Sequence, residues 1–408
     1  MLLVYYMIII NVIAFILYGV DKKKAENDKF RIPESRLILV SVLGGAFGAG
    51  LGMLLFHHKT RKTKFRITVP VCVVFYTVLM GFFLYNNYHI VTTEYEYPSF
   101  SVPKEMDGYT IVQISDLHNQ LFGIGDSSIF KKIEDCEPDI IVVTGDVVDL
   151  SHTNFGLAEM FFKGAVDIAP VYYISGNHEK WLSEKKSARY EEFIQNIKGY
   201  GVNCIDDETI EIGDVKLVGV SEWSLGNRIN ISPDASSGDA TPSDSLAIML
   251  AHEPQYVSSY EEAGADLVLV GHNHGGQIVI PGKGGLVSAD FEFFPELCEG
   301  EHRLGDTTMI ISRGLGNSLF PVRINNYPEI VKVVLRREEH KLMHLYMPDV
   351  VGSTGESAEA KLKDLGFFNV VTAYEKNDSV ESGRVIRQSI PPDTTVSTEF
   401  EIVLYVAE

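Results

Sequence analysis

Thr110-Ile111-Val112-Gln113-Ile114-Ser115-Asp116-Leu117-His118 places an apolar, β-branched run directly before an acid and a histidine two residues apart. The arrangement returns four times. Ile140 to Val143 precedes Gly145-Asp146 and Asp149, and Val171 to Ile174 precedes Gly176-Asn177-His178-Glu179. Leu246 to Leu250 precedes His252, and Leu267 to Val270 precedes Gly271-His272-Asn273-His274. Each run is too short for an ordinary helix and lacks polar alternation, so it reads as a strand buried on both faces. A polar residue just past such a strand sits on a rigid support at the lip of an α/β sheet, where open sheets bind ligands. Five such lips predict one site.

The residue types fit two metal ions, which together need imidazole and carboxylate ligands converging from several strand ends. Asp116 and His118 can face one ion. Asp146 is the candidate bridge, because its two oxygens can hold cations roughly 3.5 to 4 Å apart. Asn177 offers a neutral carbonyl oxygen, His252 and His272 offer imidazoles, and His274 returns to the first ion. Water shared by two such ions loses a proton near neutrality, down from a pKa of about 15.7, and becomes a hydroxide nucleophile. His178, beside Asn177, is the candidate acid that steadies the phosphoryl oxygens or protonates the leaving alkoxide. His57, His58, His89, His152, His302, His340 and His344 lack this context and receive no role.

On these motifs, residues 109 to about 337 resemble the calcineurin-like metallophosphoesterases. Gly271-His272-Asn273-His274-Gly275-Gly276-Gln277 and Ser312-Arg313-Gly314-Leu315-Gly316, with Pro321, Arg323, Pro328 and Glu329, resemble a bacterial branch of membrane-associated or exported enzymes. The resemblance implies a four-layer α/β sandwich, hydrolysis of a phosphomonoester or phosphodiester, and two divalent ions of the manganese, iron or zinc kind. It also implies that Asp116, His118, Asp146 and His274 hold one ion, and Asp146, Asn177, His252 and His272 the other. Asp149 falls outside that set and is expected to support its loop.

The 408 residues suggest two to four domains. Residues 1–85 hold three apolar stretches, Leu2 to Tyr18, Leu37 to Phe56 and Ile67 to Tyr85, each near the roughly 20 residues that span a bilayer. Basic loops flank them and no polar face breaks them, which excludes ordinary core helices. The first lacks a basic start and a small-residue cleavage site before Asp21, so it reads as an anchor. Gly44, Gly48 and Gly52 in the second allow close helix approach. With Tyr18, Asp21-Lys22, Arg31-Ile32-Pro33-Glu34 and Phe56-His57-His58-Lys59-Thr60-Arg61-Lys62, the region resembles a small bacterial membrane-domain family of unassigned function.

Lys59, Arg61, Lys62, Lys64 and Arg66 precede the third stretch, whereas residues 86–102 beyond it have no Lys or Arg. The third stretch therefore runs from inside to outside. The first loop, with Lys22, Lys23, Lys24, Lys29, Arg31 and Arg36, is equally basic. If the second stretch spans fully, one basic loop lies outside; if it is a re-entrant hairpin, both stay inside. Either way the remainder of the chain is expected outside the cytoplasm.

Residues 1–66 carry 11 Lys and Arg against 4 Asp and Glu, so the rest holds 27 excess negative charges within the net −20. That acidity argues against nucleic acid as a partner. Cys72, Cys136, Cys204 and Cys298 form no disulfide framework.

Residues 347–408 read as a separate module, with an amphipathic helix from about Ser357 to Leu365, a stop at Gly366 and two strand-like runs, the last at Ile402 to Val406. Pro348-Asp349-Val350-Val351-Gly352, Gly383-Arg384-Val385-Ile386 and Gln388-Ser389 before Pro391-Pro392 resemble a PASTA domain. That resemblance implies an external location and either a contact with peptidoglycan or a spacer role without a ligand. Residues 86–108 and 338–346 read as linkers. Trp223 to Ser245 reads as a flexible loop in preference to a lid, and Phe291, Phe293, Phe294 and Leu297 as core in preference to an apolar lip facing the bilayer.

The whole reads as a membrane-anchored, extracytoplasmic binuclear phosphoesterase acting by metal-bridged hydroxide, with a lipid or cell-envelope substrate, a nucleotide and a phosphoprotein all left open by the sequence. The alternative is an envelope binding or sensing protein in which the hydrolase fold is regulatory.

Overall fold

The computed structural model describes residues 2–225, 245–317, 322–338, 343–377 and 379–408. Four helices open the chain: α1 (Leu2–Glu26), α2 (Glu34–Val40), α3 (Ala46–Leu55) and α4 (Thr63–Tyr88). α1 and α4 are long and apolar enough to cross a bilayer, and side chains such as Ile8, Ile16, Val74 and Val78 point outward unpacked.

The second apolar stretch has the length to span but does not run straight. Gly44 breaks it at φ 112°, a conformation that a side chain resists, and the chain doubles back. The inward limb meets α1 first where the Ile32 amide donates to Asp21, then at Ser41 beside Tyr18, and last at Leu43, whose carbonyl accepts from Tyr6. The outward limb meets Asn11 at Gly48, Tyr18 at Gly52 and Asp21 at His58. The stretch is thus folded as a hairpin, with both basic loops at one end. Buried Asp21 ties them together: His58 Nε2 lies 2.7 Å from its carboxylate, Lys59 Nζ 3.3 Å and Arg31 Nη2 3.5 Å. A Cβ at Gly48 would overlap the Asn11 backbone, so the glycine is what lets α1 and α3 touch.

From Val91 the chain builds two six-stranded sheets. The strands are, in chain order, β1 (Val91–Ser99), β2 (Thr110–Ile114), β3 (Ile140–Thr144), β4 (Val171–Ile174), β5 (Asn203–Cys204), β6 (Thr209–Ile212), β7 (Val215–Gly219), β8 (Ala247–Leu250) and β9 (Leu267–Val270). After a short hairpin of β10 (Val279–Ile280) and β11 (Gly284–Gly285) come β12 (Gly300–Leu304), β13 (Thr307–Ile311) and β14 (Glu329–Arg337). The first sheet runs β1-β14-β2-β3-β4-β5 and the second β12-β13-β9-β8-β7-β6. Ile111, Val142, Val331 and Val333 of one sheet pack against Leu217, Ile248, Leu267 and Leu269 of the other. The outer face of the first sheet is covered by α5 (Ser127–Glu134), α6 (Phe155–Ala165), α7 (Asn177–Lys185) and α8 (Ser187–Tyr200), through Ile129, Phe161, Phe162, Leu182 and Phe193. The outer face of the second is covered by α9 (Val257–Glu262) through Tyr260. The result is the four-layer α/β sandwich. Burial on both faces explains why the strand runs show no polar alternation.

Residues 86–108 are more than a linker. β1 pairs in parallel with β14 from Val91 opposite Glu329 to Ser99 opposite Arg337, and Tyr97 is buried between the sheets. Its Val-Thr-Thr-Glu-Tyr-Glu-Tyr alternation is a period-two signal, diluted because an edge strand keeps one face in solvent. Residues 344–346 likewise leave their expected linker: β15 (His344–Tyr346) pairs with β18 (Thr395–Ser397). Between them lie α10 (Gly355–Asp364), β16 (Val370–Glu375) and β17 (Val385–Gln388), and the chain closes with β19 (Ile402–Ala407). This C-terminal unit has its own core of Met347, Val350, Leu362, Phe367 and Leu404. Residues 226–244, most of the expected flexible loop, lie outside the described residues, as do Pro321 and His340.

Candidate metal centre

The ends of β2, β3, β4, β8 and β9 meet at one edge of the sandwich and deliver the eight site residues expected from the sequence. Asp116 (φ 52°), His118 (φ 45°), Asp146 (φ 54°), His272 (φ 71°) and His274 (φ 48°) all have left-handed backbones. Non-glycine residues rarely adopt that conformation, and where they do the backbone strain tends to mark function. Here it turns each chain sharply off its strand. At Gly176 any Cβ would collide with the Asp146 carboxylate, so the chain before Asn177 approaches Asp146 only as glycine.

Asp116, His118 and His274 offer donor atoms to one point and Asp146, His252 and His272 to another, and a third set, His118, Asp146 and His178, links the two. Asp146 Oδ2 lies 3.6 Å from His118 Nε2 and 3.3 Å from His252 Nε2, between the two groups. Asn177 Oδ1 is 3.1 Å from His252 Nε2. His118 Nε2 and His274 Nε2 face each other at 3.1 Å, and His272 Nδ1 faces His252 Nε2 at 3.2 Å, all in buried rings. A proton can satisfy one such pair but not an acid and two imidazoles aimed at one point. A divalent cation can, and imidazole, carboxylate and amide oxygen suit the manganese, iron and zinc class. The residues present therefore fit metal ions.

The supporting residues explain how this geometry is held. Asp149 Oδ2 lies 3.4 Å from His118 Nδ1, and Asp149 Oδ1 accepts from the Ser151 and His152 amides. Burial opposes its ionisation, but His118 and these donors outweigh burial and keep the carboxyl below its ordinary range. Asp149 thus steadies both its loop and a candidate ligand. Glu179 accepts from the amides of Asp146 (2.8 Å), Val148 (2.9 Å) and Gly176 (3.0 Å). Burial, and then the charge of Asp146, push its carboxyl up to about 7. In the sequence the one sign of this role is the place of Glu179 in the first turn after Gly176.

His178 lines a cavity of about 220 Å³ together with Asp146, Asn177, His272, Gln277 and Phe291. Its Nδ1 accepts the Leu150 amide at 3.0 Å, so the neutral ring carries its proton on Nε2. Burial lowers its pKa, which makes that neutral donor the form present at neutral pH.

Arg323, completely buried, donates through Nη2 to the carbonyls of Gly316 (2.6 Å) and Arg313 (2.8 Å) and sits 3.3 Å from His274 Nδ1. The last turn of α4 docks on the same spot. Asn87 Oδ1 accepts the Arg323 amide at 2.9 Å, the Asn87 carbonyl accepts from Gln120 Nε2 at 2.8 Å, and Asn86 Oδ1 accepts the Asn325 amide at 2.7 Å. The apolar helix thus ends on the loops that carry His118 and back His274. Nothing in Asn86-Asn87 announces this in the sequence. The expectation of core packing also fails for Phe291, Phe293 and Phe294, which are exposed; only Leu297 joins a core.

Fold and site together define a metal-dependent phosphoester hydrolase. Residues 109–276 match the calcineurin-like phosphoesterase family and form a domain of that kind. Residues 345–408 match the PASTA domain, and residues 11–65 match DUF1294, a family described as of unknown function. The chain is 29% identical over 266 residues to the uncharacterized metallophosphoesterase YkuE of Bacillus subtilis, covering 63% of this chain and 89% of that protein. It is 27% identical over 238 residues to the phosphodiesterase YaeI of Escherichia coli, covering 56% and 82%. Its N-terminal part is 39% identical over 83 residues to the uncharacterized protein YsdA of Bacillus subtilis, covering 20% of this chain and 93% of that one.

Proposed function

We propose that the chain is a membrane-anchored phosphoesterase that uses two divalent ions and works outside the cytoplasm. The observation that carries the binuclear reading is Asp146 Oδ2, which lies within 3.6 Å of a nitrogen from each donor group. Asp116, His118 and His274 would complete one ion's shell, and Asn177, His252 and His272 the other's. Bound there, the ions would supply the charge that acidifies water and neutralises phosphoryl oxygens. The protein's own contribution is His178, whose Nε2–H donates to the phosphoryl group and then to the leaving oxygen. His178→Ala should lower kcat by roughly 10² to 10⁴ and leave metal content unchanged, because the side chain acts on the ester and does not hold the ions. Metal loss from purified variant protein would reassign His178 as a ligand.

The external location is supported by the hairpin. With both basic loops at one end, the positive-inside rule asks for a single arrangement, loops in the cytoplasm and the far end of α4 outside. The PASTA domain is then positioned to contact peptidoglycan. Protease added to wall-free cells should cut near Glu338 while residues 57–66 stay protected. Complete protection of the catalytic domain, while a known external protein is digested, would place the chemistry inside.

A further inference from the structure

Tyr85 and Tyr88 at the end of α4 are half exposed, as aromatic residues are where a helix leaves a bilayer. The catalytic domain begins there without a spacer. Tyr88 packs on Phe122 with ring centroids 6.2 Å apart, and Tyr85 on Tyr327 at 5.6 Å. Two loops of the site therefore sit at the level of this belt, residues 119–126 after His118 and residues 322–327 around Arg323. The first exposes Leu121 and Ile124 on either side of Phe122, Ile124 almost entirely (96%). The second accepts the β10–β11 hairpin: the Val279 amide donates to the Ile324 carbonyl at 3.0 Å, beside Asn325, which Asn86 holds. The segment after that hairpin carries Phe293, 72% exposed, and Phe294, while Phe291 reaches the cavity. Lys283 stands 5.9 Å over the Phe294 ring.

Ile124 is exposed on a loop packed against the end of α4, and Phe293 and Phe294 are exposed on the segment whose Phe291 lines the cavity. Exposed apolar side chains mark an interaction surface, and continuity with α4 points to the bilayer as the occupant. We propose that the cavity opens at the membrane surface and takes the phosphoester headgroup of a glycerolipid from that leaflet. Ile124, Phe293 and Phe294 rest among the upper acyl carbons, and Lys283 faces the anionic headgroups. This rests on the phosphoesterase reading above. In the reaction, the oxygen of water bonds to phosphorus and the P–O bond to the lipid alcohol breaks. One water proton ends on the lipid alkoxide by way of His178, and the other stays with the released phosphate.

The test uses full-length protein in proteoliposomes containing phosphatidic acid or phosphatidylglycerol, assayed beside soluble bis(p-nitrophenyl) phosphate. At least one lipid should be cleaved. The double variant Ile124→Ser, Phe293→Ser should lose about tenfold or more of that rate, with unchanged metal content and an unchanged rate on the soluble ester. Cleavage of the soluble ester with neither lipid touched, or a double variant as fast as wild type on lipid, overturns the lipid assignment and leaves the phosphoesterase reading intact. A wild-type protein inactive on all three removes that reading and this proposal with it.

Discussion

Asp146→Asn is expected to abolish turnover and to weaken the binding of both metal ions. The amide keeps the size of the side chain and an oxygen to accept the His178 amide, which Asp146 Oδ1 holds at 2.9 Å. It removes the negative charge and one oxygen from the point lying between the two donor groups. A neighbour that only supports a ligand costs roughly 10- to 100-fold when removed, and that is the range expected for Asp149→Asn, which steadies His118. A carboxylate shared by both ions should cost more, at least about 10³-fold in kcat/KM. Metal analysis of the purified variant separates the cases: loss of both ions fits the shared role, loss of one fits a terminal ligand, and wild-type content with wild-type rate removes Asp146 from the site.

The second large effect concerns where the enzyme domain starts. A soluble fragment beginning near residue 100 would contain the whole family match but lack β1, Ile90, Asn86 and Asn87. Ile90 and Tyr97 are buried in two different core clusters, and burying side chains of that size contributes roughly 1.5 to 3 kcal/mol each. β1 also pairs along its full length with β14, which otherwise becomes an exposed edge with a tendency to aggregate. Against a typical domain stability of about 5 to 15 kcal/mol, this loss is large. The fragment should melt far below one that begins at Asn86, and should lose metal because the Arg323 amide and Gln120 lose their partner in α4. Equal melting temperatures in a denaturation scan of the two fragments would show that β1 is dispensable.

What could be read from the sequence follows from how local each signal is. The central strands were legible because double burial writes an unbroken β-branched run, and β4 and β9 fall on the expected residues. The candidate ligands could be picked out because each follows its strand within a few residues, and the strand ends then bring them to one edge of the sandwich. β1 was not, because half of an edge strand is polar. Glu179 and Arg323 were quoted within motifs, yet their partners lie on other loops: the amides of Asp146 and Val148 for one, the carbonyls of Gly316 and Arg313 for the other. The hairpin of the second apolar stretch turns on Gly44, and five glycines among residues 44–52 left either path open. Exposure of Phe293 and Phe294 ran against their composition, since aromatic side chains are ordinarily buried.

The most direct measurement is metal content set against turnover in the full-length protein. Detergent-purified enzyme should carry two divalent ions per chain and cleave bis(p-nitrophenyl) phosphate or an aryl monoester. A chelator should remove both ions and the activity, and manganese, iron or zinc should restore them. A protein that binds no metal, or whose turnover survives complete removal of metal, would contradict the assignment of Asp116, His118, Asp146, Asn177, His252, His272 and His274 as its ligands.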